Sequence, residues 1–210
     1  PEGYKHKDLI GAPWMLAFAL RADGWYLRSD IIWHKPNPMP EGATDRPTKS
    51  HEYIFLLSKS SRYFYNNDAI RELTGNESDP AVYAAAKGQS FHDHGNDAEA
   101  GMQQKKHANF KSLTNPLGRN KRTVWSVAAE QCDVAHFATF PKKLIEPCIL
   151  AGSRKDDVIL DPFSGAGTTG LVAARLGRSY IGIELNPEYV EISRKRIEAD
   201  MPLFNQVKVG

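Results

Sequence analysis

Two carboxylates and a short run of glycines are the groups in this chain best suited to chemistry. Asp161 opens the run Asp161-Pro-Phe-Ser-Gly-Ala-Gly-Thr-Thr-Gly170, and Glu184 follows a little downstream. Gly165, Gly167 and Gly170 fit a G-x-G-x-x-G spacing, in which missing side chains let backbone and a nucleotide-like ligand approach closely. An acid at a strand end after such a loop, as Glu184 is, can accept hydrogen bonds from both hydroxyls of a ribose. Asp161 sets the sign of the ligand. A dinucleotide would present a pyrophosphate to the loop, and a carboxylate one turn before it would repel that charge. A cationic ligand reverses the sign: S-adenosylmethionine carries an ammonium and a sulfonium, and Phe163 offers an apolar, cation-tolerant surface beside them. The competing readings are plainer, with Asp161 as a helix-capping acid and Glu184 as an ordinary strand-end acid.

The elements that must hold these groups follow from periodicity. Asp157-Val-Ile-Leu-Asp161 is a short apolar run suited to a buried parallel strand, and Thr168 to Leu176 predicts a small-residue helix stopped by Gly177. The loop therefore brings its ligand to a helix N-terminus at Thr168. Ser179 to Glu184 predicts a second strand, after which Asn186 and Pro187 open a helix with Val190, Ile197 and Met201 on one side. Upstream, Pro141 to Gly152 predicts a helix with Leu144, Ile145, Cys148 and Ile149 inward, and Pro147 is expected to bend or end its first part. Asp8 to Asp23 is apolar nearly all round and predicts a buried helix. Trp25 to Trp33 and His51 to Ser58 read as strands joined by a long loop that Pro36, Pro38 and Pro40 stiffen. Tyr63-Phe-Tyr65 is a short strand or an aromatic patch, and Asp68 to Leu73 a brief helix.

With these residues the chain resembles the amino-group DNA methyltransferases, the adenine-N6 and cytosine-N4 enzymes, and within them the group whose cofactor motif lies near the C-terminus. Asp161 to Gly170 resembles the family's cofactor loop, and Ile183-Glu-Leu-Asn-Pro187 its ribose-binding acid motif. His136-Phe-Ala-Thr-Phe-Pro141, with Leu144 and Glu146 to Gly152, resembles the helix before the cofactor strand, whose start lines the methionine pocket; this implies Thr139 and Phe140 near that end of the cofactor. Asp30-Ile-Ile-Trp-His-Lys-Pro-Asn37 resembles the strand and loop that help form the target-base pocket. The resemblance covers residues 8–74 and 120–200. It implies a Rossmann-like α/β methyltransferase fold with a mixed, mostly parallel sheet, incomplete in this chain, and a cofactor set of Asp161, Phe163, Gly165, Gly167, Thr168, Glu184, Thr139 and Phe140.

An enzyme acting on a base amino group extrudes the base, then grips it by stacking and by hydrogen bonds to its edge. Trp33, Lys35 and Asn37 are the candidates for that grip, against the plainer alternatives of a core tryptophan and solvated loop residues. Family members hold the reacting amine with a short motif, an Asp, Asn or Ser followed by two prolines and an aromatic. No Pro-Pro pair occurs in this sequence. The catalytic residues are therefore expected upstream of Pro1, together with about two strands of the sheet.

Between these halves, Thr74 to Arg122 loses periodicity and gains Gly, Asn, Asp, Gln and His. From Met102 through Arg122 there is no acid, while Lys105, Lys106, Lys111, Arg119, Lys121 and Arg122 form a basic stretch; Lys105, Lys106, Lys121 and Arg122 are the candidate phosphate contacts. The expected organisation is thus residues 1–74 as the target-base side of the core, 75–122 as an inserted recognition region and 123–210 as the cofactor side.

Composition sets wider bounds. The 210 residues carry a net charge of +2, which permits nucleic-acid binding without demanding it. Two cysteines, Cys132 and Cys148, are too few for a secreted disulfide scaffold and lack metal-ligand spacing; His92, His94 and His107 add no convincing metal set, so no metal is expected. Neither a signal peptide nor a membrane span is apparent, which makes a cytoplasmic protein the default. Three function classes fit: an S-adenosylmethionine-dependent DNA amino-methyltransferase or its cofactor-binding portion, a catalytically inactive nucleic-acid-binding or regulatory subunit of that fold, and a nicotinamide oxidoreductase, which Asp161 opposes. Expected partners are double-stranded DNA and either the missing N-terminal segment or a companion chain, with a homodimer also open.

Overall fold

The computed structural model describes residues 3–72, 118–130, 140–200 and 207–209. Met201, Cys132, Thr139, Lys105 and Lys106 fall outside these. Two units are distinguished, Pro1–Ala69 with Arg122–Gly210, and Ile70–Lys121. Within the described part of the second, Glu72 and Arg119 form an antiparallel bridge reinforced by a 3.0 Å contact from Arg119 Nε to the Glu72 carboxylate.

The first unit begins with helix α1 (Ala12–Ala22), whose N-cap Gly11 has a left-handed backbone, φ 72°, and which carries proline in its first turn. The following strand, β1 (Tyr26–His34), pairs antiparallel with β2 (His51–Ser58), from Tyr26 opposite Ser58 to His34 opposite His51, with a shift of register between Leu27 and Ser29. On its other side β1 accepts a short parallel strand, β3 (Val124–Ser126), with Trp33 opposite Trp125. Both faces of this mixed sheet are covered. Trp14 of α1 sets its ring edge-on to Tyr53 and Phe55, at 5.7 and 5.0 Å. The opposite face carries Trp33 and Trp125, buried together with Leu144 of helix α2 (Lys142–Gly152).

Helix α2 ties this sheet to a second one, because Leu144 belongs to the tryptophan cluster and Ile149 to a cluster with Leu171, Val172, Ala173 and Ile197. Strands β4 (Val158–Asp161) and β5 (Ser179–Gly182) are parallel neighbours joined through helix α3 (Thr168–Arg175), and helix α4 (Pro187–Asp200) closes the unit. Ile159 and Tyr180 point into the second cluster. The alternate positions point outward, with Val158 and Leu160 each 59% exposed and Ile181 and Ile183 54% and 52% exposed.

Several expectations change. Helix α1 is shorter than expected and is not buried all round: Ala17 is its buried residue, whereas Leu16 is 62% exposed and Met15 53%. The expected helix at Asp68 is a single 3-10 turn, Asp68–Ile70. Pro141 precedes α2 as its extended N-cap rather than opening it, and the helix runs through Pro147 instead of ending there. Tyr63 and Phe64 lie in irregular chain, each under a guanidinium, of Arg28 and Arg154 respectively. Strand β3 is not among the expected strands, since three residues carry no period of their own.

Candidate functional site

The carboxylates meet the glycine loop at the C-terminal ends of β4 and β5, where Asp161 is registered opposite Gly182. Asp161 organises the start of the loop: one oxygen accepts the Phe163 backbone N–H at 3.0 Å, and the other accepts the Thr169 hydroxyl at 2.6 Å. Glu184 holds the same loop from the far side, accepting the backbone N–H groups of Gly165 at 2.8 Å and Asn186 at 2.9 Å. Those donors, Asn186 first, hold its carboxyl below the usual carboxylate range, so it is ionised at neutral pH. Asn186 in turn caps α4, its side-chain oxygen accepting the Glu188 N–H at 2.9 Å.

The centre of the loop depends on close contact with α4. Gly167 has φ 74°, and a Cβ there would stand 2.8 Å from Ser193 Cβ, so both conformation and space require glycine. The Arg196 guanidinium donates to the Ala166 carbonyl from the same helix. Thr168 is buried at the first turn of α3, while Phe163 is 88% exposed with its ring on the surface.

Two cavities flank this loop. One, of about 400 Å³, is lined by Phe140, Cys148, Ile149, Ile159, Asp161 and Thr169, and is mostly apolar. The other, of about 670 Å³, is lined by Ser164, Tyr180, Glu184, Val190, Ser193 and Lys208 among others. Each carboxylate thus borders its own cavity. Phe140 also packs against the tryptophan cluster, so one ring touches both the core of the first sheet and the cavity wall beside Asp161. Of the expected cofactor residues, Asp161, Phe163, Gly165, Gly167, Thr168 and Glu184 lie on or beside one loop, and Phe140 joins Asp161 at the first cavity; Thr139 is outside the described residues.

On the expected target-base side the picture is different. Trp33 is 5% exposed, packs on Trp125 and Leu144, and donates its indole N–H to the Val127 carbonyl at 2.7 Å. Its ring is thus enclosed in the core of the first sheet. Lys35 sits above that ring, 4.3 Å from its centroid, and forms an ion pair with Glu52. Asn37 accepts the Ala129 N–H at 3.1 Å. Both therefore fasten the chain at the C-terminal end of β1. Arg122 is exposed and Lys121 half-buried, the backbone carbonyl of Arg122 accepting the Trp125 indole N–H at 2.6 Å. Among the described residues no cluster of three or more His, Cys, Asp or Glu could hold a metal ion, and no helix is long and apolar enough to cross a membrane.

Sequence inspection did not find Thr169, Ser164, Tyr180, Ser193 or Arg196. Thr169 was legible as the second hydroxyl of the Thr168-Thr169 pair. The others touch the loop from β5 and α4 or lie within it without any spacing signal.

A parallel β-α-β unit with a glycine loop between two strand-end carboxylates defines an α/β protein of the class that binds a nucleoside-containing ligand at its strand ends. The profile of the DNA methylase family, the N6 and N4 enzymes, matches residues 4–195, and the chain belongs to that family. It is 47% identical over 200 residues to the type II methyltransferase M.Cfr9I of Citrobacter freundii, covering 95% of this chain and 54% of that protein. It is 47% identical over 197 residues to M.SmaI of Serratia marcescens, covering 94% and 55%. The chain thus spans about half the length of these curated relatives. Among solved structures, the PvuII cytosine-N4-specific DNA methyltransferase superposes with a TM-score of 0.61 at 20% identity, covering 96% of this chain and 65% of that one. A putative DNA modification methylase of Thermus thermophilus superposes at 0.53 with 25% identity, covering 92% and 62%. The fold is therefore that of the DNA methyltransferases, α/β, with a mixed three-stranded sheet and a parallel two-stranded one among the described residues.

Proposed function

We propose that this chain is the cofactor-binding portion of a site-specific DNA methyltransferase that moves a methyl group from S-adenosylmethionine to the exocyclic amino group of adenine or cytosine. The observation that carries this reading is the pair of carboxylates, Asp161 and Glu184, on either side of one glycine loop and each bordering its own cavity. The residues fit that ligand. Asp161 puts negative charge beside a largely apolar hollow with Phe140 and Thr169, suited to an ammonium and a sulfonium. Glu184 is ionised and has acceptor sites for a diol. The bound cofactor supplies an electrophilic methyl group; the chain supplies orientation and charge. Phe163, and Thr139 beyond the described region, complete the proposed contacts.

On the nucleic-acid side, Lys35 and Asn37 are proposed to shape the rim of the base pocket through their ties to Glu52 and Ala129. Lys105, Lys106, Lys121 and Arg122, in or beside an inserted recognition region at 75–122, are proposed phosphate contacts on double-stranded DNA in the cytoplasm. We also infer a polypeptide partner, because the outer face of β4 and β5 presents four apolar side chains that a parallel sheet ordinarily buries. An N-terminal segment or companion chain carrying the amine-holding motif is the proposed cover, with a second copy of this chain as the alternative that sedimentation would reveal.

Calorimetry with S-adenosylmethionine and with NAD tests the cofactor: binding of the first and not the second is expected. Glu184→Ala should weaken it about 10- to 100-fold, the scale of one or two charge-assisted hydrogen bonds. Binding of NAD alone would install the oxidoreductase reading. Incorporation of labelled methyl into double-stranded DNA, by the chain alone and with the part of the Citrobacter freundii relative that it does not cover added, separates an enzyme portion from an inactive subunit. Cofactor and DNA binding without transfer in either mixture would favour the latter.

A further inference from the structure

Tyr180, in the middle of β5, lies against the glycine loop in space that two glycines leave for it. A Cβ at Gly170 would stand 2.5 Å from Tyr180 Cε1, and one at Gly182 would stand 2.5 Å from its hydroxyl oxygen. The ring packs on the second core cluster, and the hydroxyl lies 2.7 Å from Ser164 Oγ, three residues after Asp161. Burial raises the phenol above its ordinary range, the Asp161 and Glu184 charges add to this, and the Ser164 hydrogen bond opposes it. The group therefore remains a neutral O–H at working pH.

Among the contacts that hold the loop, two respond differently to a ligand at Glu184. Glu184 grips Gly165 and Asn186 with a carboxylate, and a diol arriving at that carboxylate competes with the same oxygens. The bond between Ser164 and Tyr180, in the wall of the same cavity, uses neither Glu184 oxygen. We propose that Tyr180 is a positioning residue: its hydroxyl pins Ser164 and keeps the loop in shape while Glu184 turns from the Gly165 N–H to a ribose. Ring and hydroxyl have separate tasks, the ring filling space under Gly170 and Gly182 and the hydroxyl fixing the loop. The inference rests on the cofactor reading above.

The test uses Tyr180→Phe, which keeps the ring, and Ser164→Ala, which removes the other partner. Calorimetry compares S-adenosylmethionine with an analogue lacking both ribose hydroxyls. Each variant should bind S-adenosylmethionine about five- to tenfold more weakly than the parent chain, and the double variant no more weakly than the worse single one, as two halves of one bond require. Parent and variants should bind the analogue equally, because it leaves Glu184 on the loop. Losses that are equal for both ligands, or no loss for either, would overturn the positioning role while leaving the cofactor reading intact. A parent chain that binds no S-adenosylmethionine would overturn the cofactor reading and this inference with it.

Discussion

The two sheets of this chain are built from similar residues and treated differently. Around β1 both faces are covered, by α1 through Trp14 and by α2 through Leu144, and the strand's tryptophan is a core residue. At β4 and β5 one face packs on α2, α3 and α4, while Val158, Leu160, Ile181 and Ile183 on the other are each more than half exposed. The strands therefore pack on one side only, and the loop at their ends adds contacts of its own: Asp161 to Thr169, Glu184 to Gly165, and Ser193 against Gly167. The first sheet is thus packed on both faces, whereas the second is packed on one and carries a loop tied by polar contacts at its strand ends.

Substitutions can break or sharpen that contrast. The largest effect is expected for Trp33→Ala, which removes a buried ring and its hydrogen bond to Val127. Loss of about 3–5 kcal/mol is the scale for such a cavity, read by urea unfolding. Next is Gly167→Ala. Strain at φ 74° and collision with Ser193 should together cost about 2–3 kcal/mol. Adding Ser193→Gly should restore the part due to collision, and failure to restore any would show that backbone conformation alone matters.

A smaller effect concerns pH. Arg175 contacts the Asp200 carboxylate at 2.7 Å through Nε and holds it below the usual carboxylate range, chiefly by that hydrogen bond. The folded value lies below the unfolded one, so the stabilisation is present above the unfolded value and is lost as pH falls through the folded value. Arg175 is 47% exposed, which limits the contribution to at most about 1 kcal/mol. Melting followed downward from about pH 6 should therefore show Asp200→Asn less stable than the parent, with the difference narrowing as pH falls below the ordinary aspartate range. The smallest effect is expected for Leu160→Gln on the bare face. It should leave stability within about 0.5 kcal/mol, yet weaken association with the proposed covering polypeptide. A marked loss of stability in the isolated chain would mean that the face is covered within it.

Much of the second sheet was legible because its signals are local. The alternation from Val158 to Asp161, the small residues after Thr168, the Gly177 stop and the Asn186-Pro187 start all act within a few residues, and each element is found within a residue or two of its expected ends. Three kinds of feature were not legible. The surface exposure of α1 was missed because an all-round apolar sequence states what could be buried, not which neighbours are present to bury it. Strand β3 is too short for periodicity and exists through its pairing with Ile32 to His34. The burial of Trp33 could not be read either, since the same residue type serves a core or a base-stacking surface, and its enclosure depends on Trp125 and Leu144 from distant parts of the chain.

Residue type and spacing alone place the strand-end groups, an acid before a glycine loop and an acid after the next strand. Those depend on residue type and close spacing, which local backbone geometry converts directly into position. Only the tertiary structure decided what surrounds them. Ser193 and Arg196 come from α4, Tyr180 from β5 and Phe140 from the start of α2, and they converge on one loop because the helices and strands pack. Contacts between residues far apart in the chain leave no spacing signal, so the fold alone shows how the loop is held and which face of its sheet stands bare.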